Sequence, residues 1–409
     1  MPSGRGVVVF ATGVAMWLAG RLIGSSGLAV VGIGFAALPF ASALFARWGR
    51  HRIAVTRRLT EVRVGPGTRV RVDVEVENRS PGSTSFLLLE DRLPSALGRS
   101  ARLVLSGIPA HGRQKAWYTM LPQTRGRYSV GPMTVDVSDP FALTHLRLEF
   151  EDRDELLVTP EIEDLTGTPA SPFGSRVGIS RAKQLFRTGE EFFTMRAYQE
   201  GDDLRRIHWP SVARTNELMI RQDESSRRSS AVVFLDNRES VLGQTHGPAL
   251  EKAVSCAASL GLLASRSGFS LRLATADTPP APVTEEALLD ALAGVSHVQA
   301  RSIGPTLSRL RSGSGAETTL IAVTAPLLPN ELTSLIRTGS AFGPKLAVLV
   351  YPADPGTLPP DRGAQLEGRA SQARLNLSRA GWDVLILAPS GRLRDVWHAA
   401  RERALAHSG

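Results

Sequence analysis

The residues best suited to chemistry lie between positions 188 and 224, where charged and aromatic side chains alternate. Arginine side chains in such a segment can hold a carboxylate or a phosphate through paired hydrogen bonds. The same residues can instead form internal ion pairs or a solvated face, and internal ion pairs are favoured because paired arginines and carboxylates are commonly structural. The ionisable residues are Glu190, Glu191, Arg196, Asp202, Asp203, Arg205, Arg206, Arg214, Arg221, Asp223 and Glu224.

Acid–base catalysis in this segment would fall to Asp202, Asp203 and His208. A histidine can act as a general base near neutral pH, but a hydrogen-bonded structural histidine is the favoured interpretation. Adjacent carboxylates on a turn rarely point at one atom. The chain has no nucleophile elbow, Walker loop, H-E-x-x-H helix or dinucleotide fingerprint, and no histidine pair at zinc-ligand spacing. These absences predict no cofactor and give no reason to propose an enzyme, although they do not exclude one.

Local patterns position these side chains. The alternation around residues 193–197 and 218–222 predicts two strands, and Pro210 is suited to the first turn of a short helix. The segment as a whole, residues 188–230, leads into the first strand of a larger domain. We therefore interpret it as a structural clasp of that domain with an exposed part that can contact a partner.

The N-terminal residues 1–50 contain two apolar segments, 6–23 and 24–46, with a Gly-Ser-Ser-Gly turn between them. The second is free of charge over about twenty residues, which is long enough to span a hydrocarbon core. Arg5 precedes the pair and arginines follow it, so the positive-inside rule predicts a two-helix hairpin in the cell membrane with both termini cytoplasmic. A cleaved signal peptide is the alternative, and the second apolar segment disfavours it.

The net charge of +9 suits either nucleic acid or an anionic membrane. Basic residues crowd directly after the apolar segments, with only Glu61 opposing them before Asp73. A polybasic run beside a membrane span is attracted to acidic lipid headgroups, so we predict a lipid partner and no nucleic acid. The run consists of Arg47, Arg50, Arg52, Arg57, Arg58, Arg63, Arg69 and Arg71.

Residues 51–160 show a period of two with turns between short strands, as in Val70 to Val76, which predicts an all-β sandwich of immunoglobulin type. Residues 161–187 are rich in Gly, Pro and Ser and are predicted to form a linker or a surface loop. Residues 231–409 alternate strand-like and helix-like patterns, which predicts an α/β Rossmann-like domain with a mostly parallel sheet. Binding sites in such folds gather at the carboxyl ends of the strands, which directs attention to Asp236.

The central segment resembles the signature of domain-of-unknown-function family fifty-eight, which has G-x-E-F, then R-x-Y-x-x-G-D-D-x-R-x-I-x-W, then S-x-A-R and a later acidic residue. His208 stands where that family often has aspartate. RGRYSVGP, DPFAL and the apolar hairpin also resemble the family, so the resemblance covers most of the chain. The residues that match the pattern are Gly189, Phe192, Arg196, Tyr198, Gly201, Asp202, Asp203, Arg206, Ile207, Trp209, Ser211, Ala213, Arg214, Leu218 and Glu224. Among them, the candidates for partner contact are Gly189, Phe192, Arg196, Tyr198, Gly201, Asp202, Asp203, Arg206, Trp209, Arg214 and Glu224.

This resemblance implies a C-terminal half similar to von Willebrand factor type A domains, which bind a metal through D-x-S-x-S and a later aspartate. Here the first motif contains Asp236 and Ser240, but Arg238 replaces its first serine and would bring a cation to the metal position. Ala325 stands where the later aspartate is expected. Because divalent cations need several oxygen ligands, we predict a degenerate site that binds no metal in that manner.

Two functions of different class remain. The resemblance implies association with MoxR-type AAA+ ATPases, so the favoured hypothesis is a membrane-anchored, cytoplasm-facing adaptor or scaffold without catalysis of its own. The alternative is a membrane-associated hydrolase using Asp202, Asp203 and His208. Nucleic-acid binding would rest on net charge alone.

Overall fold

The computed structural model describes residues 4–49, 53–84, 86–138, 145–166, 193–198, 209–215, 217–223, 230–312 and 315–406. They form two compact units, Met1–Thr159 and Pro160–Gly409. The first holds two apolar helices and a β-rich part, and the second holds a mixed α/β sheet.

The two N-terminal helices form the predicted hairpin. α1 is Gly4–Ile23 and α2 is Ser26–Gly49, and Gly24 between them adopts a positive φ of 76° that favours glycine. Both helices are long and apolar enough to span a membrane. Pro39 lies inside α2, which membrane helices tolerate more readily than soluble ones.

Backbone contact, rather than side-chain interdigitation, brings α1 and α2 together. A Cβ atom added to Gly32 would lie 2.4 Å from the Trp17 backbone nitrogen, and one added to Gly13 would lie 2.4 Å from the Ala36 nitrogen. Small residues permit this close approach of membrane helices. The close packing of the hairpin therefore depends on Gly13, Gly20 and Gly32.

Three small sheets enclose one core in the β-rich part. Their orders are β1-β3-β6, β2-β10-β7 and β5-β4-β8-β9. Alternate residues of the strands, such as Val70, Val72, Val74 and Val76 of β3, are buried in that core. The strands are β1 Ile53–Leu59, β2 Arg63–Val64, β3 Val70–Asn78, β4 Leu87–Asp91, β5 Ala101–Leu105, β6 Arg113–Met120, β7 Gly126–Val130, β8 Met133–Ser138, β9 His145–Phe150 and β10 Asp154–Val158.

One arginine of the run that the sequence assigns to lipid headgroups is buried in this part, while Arg58, Arg69 and Arg71 are exposed. The Arg57 side chain is only 5% exposed and pairs with Asp91 at 2.8 Å and Asp154 at 2.6 Å. Strand β1 starts close to the end of α2 and extends about 20 Å from Ile53 to Leu59. Leu59 pairs with Val72 of β3, so Arg69 and Arg71 lie at the end of the sheet remote from α2. Arg57 is therefore not free to contact headgroups, and the lipid partner of the run stays a prediction.

Asp91 holds a buried polar network together. It accepts hydrogen bonds from Arg57 and, at 2.6 Å, from the Tyr118 hydroxyl. Burial raises the pKa of Asp91, although Tyr118 and Arg57 oppose that shift. Burial and the charge of Asp91 also raise the pKa of Tyr118, so its hydroxyl stays a donor.

Tyr118→Phe is expected to destabilise the first unit by about 1–3 kcal/mol, because it leaves one buried oxygen of Asp91 without this donor. Urea titration followed by hydrogen exchange in β3 and β6 would measure the loss. Ser129→Ala, on an exposed position of β7, is the hydroxyl control and should change stability little. Equal stability of both variants would show that the Tyr118 hydrogen bond contributes nothing.

The second unit begins with a segment that the sequence assigns to the linker. The Glu163 carboxylate accepts a hydrogen bond from the Arg394 backbone N–H at 2.9 Å and pairs with Lys252 at 3.3 Å. The Ser259 hydroxyl oxygen accepts the Glu163 backbone N–H at 2.9 Å. Leu165 is buried in the core of this unit. Residues 161–166 therefore pack against the α/β unit, and residues 167–187 lie outside the described part of the chain.

A six-stranded sheet forms the second unit, in the order β15-β14-β13-β16-β17-β18. Its strands are parallel except β15, which pairs antiparallel at one edge. Apolar clusters cover both faces, as the continuous apolar strands predict. The strands are β13 Ser230–Leu235, β14 Ser270–Thr275, β15 Ala281–Val283, β16 Thr318–Thr324, β17 Lys345–Val350 and β18 Asp383–Leu387.

The helices of the second unit follow the predicted alternation closely. The sequence pattern did not predict the short edge strand β15, helix α7 or the four-residue helix α4. Strand β15 and helix α7 contain prolines, which weaken a regular apolar period. The helices are α3 Trp209–Thr215, α4 Glu239–Leu242, α5 Pro248–Arg266, α6 Glu285–Ala293, α7 Gly304–Ser312, α8 Pro329–Gly339, α9 Pro360–Arg379 and α10 Leu393–Ala406.

The two strands predicted in the signature segment are present. β11 is Phe193–Ala197 and β12 is Met219–Asp223, and they pair antiparallel as a separate two-stranded sheet. Within the described residues neither strand joins the six-stranded sheet. The interpretation of this segment as a clasp on the sheet therefore stays a prediction.

Candidate functional site

The carboxyl ends of the central strands meet at Asp236. This residue directly follows β13, and its backbone N–H donates to the Val323 carbonyl of β16 at 2.9 Å. Thr324, the last residue of β16, donates its hydroxyl hydrogen to Asp236 Oδ2 at 2.9 Å. Both side chains are fully buried, so the sheet itself places these two oxygens together.

Arg238 closes on Asp236 from the chain that follows β13. Its Nε donates to Asp236 Oδ1 and its Nη2 to Asp236 Oδ2, both at 2.8 Å. This two-pronged geometry matches a planar guanidinium to both carboxylate oxygens. Only 2% of the arginine side chain is exposed. The cation that the sequence predicts beside Asp236 is therefore a fixed part of the fold.

Glu331 completes the cluster, and the sequence analysis missed it. It lies in the first turn of α8, and Arg238 Nη2 donates to its Oε2 at 3.3 Å while Nη1 contacts Oε1. Because α8 follows β16, its first turn falls at the same edge of the sheet as Asp236. An acidic residue in the first turn after a parallel strand is the signal that could have identified it.

On the other side, Asn237 links the end of β13 to the residue after β14 and to the loop after α6. Its Oδ1 accepts the Ala276 N–H at 3.0 Å, and its Nδ2 donates to the Ser296 carbonyl at 2.8 Å. Asn237 is 3% exposed. The edge between β13 and β14 is thus closed by hydrogen bonds to the protein's own backbone.

The electrostatics of this cluster favour a permanent ion pair. Burial opposes the charge on Arg238, but its hydrogen bonds to Asp236 and Glu331 outweigh that effect and raise its pKa. An arginine does not give up its proton in proteins, so Arg238 cannot serve as a general acid or base. The cluster joins β13, β16 and α8, and its arrangement is that of an internal cross-link.

The two residues of the predicted degenerate metal site, Asp236 and Ser240, differ in exposure. Ser240 lies on α4 and is exposed, whereas Asp236 is buried against Arg238. Ala325 is buried directly after Thr324 and contributes no side-chain oxygen. Among the described residues, no group of three or more His, Cys, Asp or Glu is placed to hold a metal ion. That no metal binds in the type-A manner stays a prediction.

The signature residues are only partly described. Trp209 and Arg214 are exposed on α3, Tyr198 is half-buried after β11, and the backbone of Arg196 lies in β11. Trp209 has 65% of its surface exposed, so the described part of the signature presents an aromatic and a cationic side chain to solvent. The other predicted residues lie outside the described residues: Gly189, Phe192, Gly201, Asp202, Asp203, Arg206, His208 and Glu224.

A family model matches part of this chain. Residues 194–379 match the model described as "Protein of unknown function DUF58". This match supports the DUF58 family. The matched region begins in β11 and ends with α9, so it contains the signature segment from residue 194 onward and the Arg238 cluster, but neither the hairpin nor the β-rich part.

A curated protein is also similar to this chain in sequence. "Uncharacterized protein YeaD" from Bacillus subtilis (strain 168) is 23% identical over 236 residues, which cover 55% of this chain and 57% of that protein. The match thus spans little more than half of the relative's length.

Likenesses to solved structures are weak. The CARDB domain of a Pyrococcus furiosus protein, solved in complex with di-metal ions, is 14% identical, with a TM-score of 0.21 over 26% of this chain and 91% of that one. A Listeria innocua β-glucosidase is 12% identical, with a TM-score of 0.18 over 26% of this chain and 16% of that one. Scores this low support no inference about fold or function.

Proposed function

We propose that this DUF58-like chain is a membrane-anchored adaptor that faces the cytoplasm and binds a protein partner, without catalysis of its own. The Arg238 cluster carries the proposal. Open α/β sheets bind ligands at the carboxyl ends of their strands, and here that edge is occupied by an internal ion pair between Arg238, Asp236 and Glu331. Because an internal ion pair occupies the edge that usually binds ligands, the α/β unit is suited to binding a protein partner through its outer surface.

The finer architecture belongs to the same proposal. We infer an immunoglobulin-type sandwich for the β-rich part and a type-A-like fold for the α/β unit. The alternating burial of the strands supports the first, and the position of Asp236 directly after β13 supports the second. The hairpin α1–α2 would anchor both units, with the chain termini on the cytoplasmic side.

The partner contact is assigned to the signature segment. Tryptophan and arginine are enriched among the residues that dominate binding energy at protein interfaces. Trp209 and Arg214 are both exposed on the short helix α3. An AAA+ ATPase of MoxR type is the proposed partner, and it would supply the nucleotide chemistry.

Binding between the purified full chain in detergent and a purified MoxR-type ATPase tests this function. Trp209→Ala and Arg214→Ala are each expected to weaken binding at least roughly tenfold, the loss that corresponds to about 1.4 kcal/mol at an interface hot spot. Arg196→Ala and Asp203→Ala test the rest of the signature in the same assay.

Arg337→Ala is the matched control, because Arg337 is exposed on α8, outside the signature segment. It should leave the affinity unchanged. Absence of any binding by the unmodified chain, or equal affinity of the unmodified chain and all five variants for the ATPase, would contradict the adaptor function.

A further inference from the structure

One end of the β-rich part is fixed beside the membrane-spanning hairpin. α2 ends at Gly49 and β1 begins at Ile53, so the two are at most about 14 Å apart along the chain. α2 also lies against β9. Ile53 pairs with Asn78, the last residue of β3, so the start of β1 and the end of β3 mark this span-proximal end.

The sheet β5-β4-β8-β9 has an end at the same place. The Asn78 side chain donates to the Ile108 carbonyl at 3.2 Å, and the same carbonyl accepts the Thr84 N–H at 2.8 Å. Ile108 follows β5 and Thr84 precedes β4, so the start of β4 and the end of β5 belong to the span-proximal end.

Three apolar side chains are exposed at this end. Phe86 precedes β4 and is 65% exposed, while Leu88 and Val104, which are 39% and 67% exposed, face each other across β4 and β5. Contiguous exposed apolar residues mark surfaces that contact another molecule or a membrane. We name Phe86, Leu88 and Val104 the apolar tip.

Charged residues surround the apolar tip on the rest of that sheet face. The next pair along β4 and β5 is Glu90 and Arg102, which form an ion pair at 3.1 Å. Across the sheet, Leu88 of β4 pairs with Asp136 of β8, which pairs in turn with Arg147 of β9. Asp136 and Arg147 form an ion pair at 2.8 Å. Along β4 and β5 the face therefore changes from apolar to charged as it leaves the span-proximal end, and across the sheet the Asp136–Arg147 pair borders the apolar tip at the same level. An apolar patch flanked by charged groups matches the polarity that a membrane interface presents.

We propose that the apolar tip enters the lipid interface next to the hairpin and holds the β-rich part against the bilayer. The occupant is the bilayer that holds α1 and α2, because the span-proximal end is continuous with α2. This inference rests on the proposed membrane anchoring, but it adds a second and separate contact with lipid.

Fluorescence quenching in vesicles tests the proposal on the full chain. The single native cysteine, Cys256, is buried, so a cysteine introduced at the surface is the residue that reacts with a dye. Val104→Cys, labelled with an environment-sensitive fluorophore, is reconstituted into phosphatidylcholine and phosphatidylglycerol vesicles whose acyl chains carry bromine near the headgroups. We expect bromolipid to reduce its fluorescence, and Phe86→Asp in the same chain to weaken that loss.

Two further labelled positions separate the outcomes. Leu121→Cys is the matched apolar control, because Leu121 is exposed and follows the end of β6 that is remote from the span-proximal end. Its label should not be quenched. Ile33→Cys, exposed in α2, reports the anchor itself. Quenching at Ile33 but not at Val104 would overturn the lipid contact and leave the anchor intact.

The remaining outcomes are equally decisive. Loss of quenching at both Ile33 and Val104 would refute the anchor and the lipid contact together. A Val104 label that is shielded from aqueous iodide but not quenched by bromolipid would show that protein, including a second copy of the chain, covers the apolar tip. That result also overturns the proposal.

Discussion

Asp236→Ala is expected to destabilise the α/β unit by about 3–5 kcal/mol, because it leaves the buried Arg238 with Glu331 as its remaining carboxylate partner. Thr324 loses its acceptor in the same substitution. Each 1.4 kcal/mol is a tenfold change in an equilibrium constant, so the open population should rise by roughly two to four orders of magnitude. Native-state hydrogen exchange of β13 and β16 in the full chain measures it.

Two further variants test the cause of that loss. Glu367→Ala removes an exposed carboxylate from α9 and should leave exchange in the sheet unchanged. Adding Arg238→Met to Asp236→Ala removes the buried guanidinium that has lost one of its two carboxylate partners, so the double variant should lose less than the sum of the two single losses. Two results would refute the cross-link. One is fast hydrogen exchange of the β13 amides in the unmodified chain, and the other is an equal rate of amide exchange in Asp236→Ala and Glu367→Ala.

Gly32→Val is expected to separate α1 from α2, which is the second large effect. Its Cβ would lie 2.4 Å from the Trp17 nitrogen and 2.7 Å from the Gly13 carbonyl, and both of these are backbone atoms that cannot rotate away. The helix axes should move toward the roughly 8–10 Å that is usual where side chains separate helices. Phe10 and Phe40, whose ring centroids are 5.8 Å apart, report this distance.

A short thiol cross-linker between Phe10→Cys and Phe40→Cys provides the measurement. Cross-linking should fall sharply when Gly32→Val is added. Gly34→Val is the matched control two residues along α2, because a Cβ at Gly34 meets nothing within 4 Å. If both valine variants cross-link equally, the hairpin does not depend on the contact at Gly32.

Regular elements were predictable because each carries a local pattern. The apolar runs before Asp236 and Ala325 required strands buried on both faces, and the alternation from Val70 to Val76 required a strand buried on one. Short elements with proline, such as β15, lack a period long enough to read.

The candidate site was predictable only in part, because it depends on contacts between distant positions. The exchange of serine for Arg238 placed a cation beside Asp236, since both residues belong to one short motif. Glu331 lies 93 positions after Arg238, and the sheet order that joins them does not follow from either local pattern. The burial of Arg57 was missed for the same reason, since Asp91 and Asp154 are remote in sequence.

The two-residue turn between the apolar helices has a consequence for biogenesis. In the proposed topology, Gly24 and Ser25 are the residues that a translocation machinery must deliver across the bilayer. They carry no side-chain charge, and the Ser25 N–H already donates to the Gly20 carbonyl at 2.9 Å. The nearest charge is that of Arg21 in the last turn of α1, whose long side chain can reach the interface, and residues 22–46 carry none. The hairpin can therefore partition into the membrane as one unit, while the β-rich and α/β units fold in the compartment where they were synthesised.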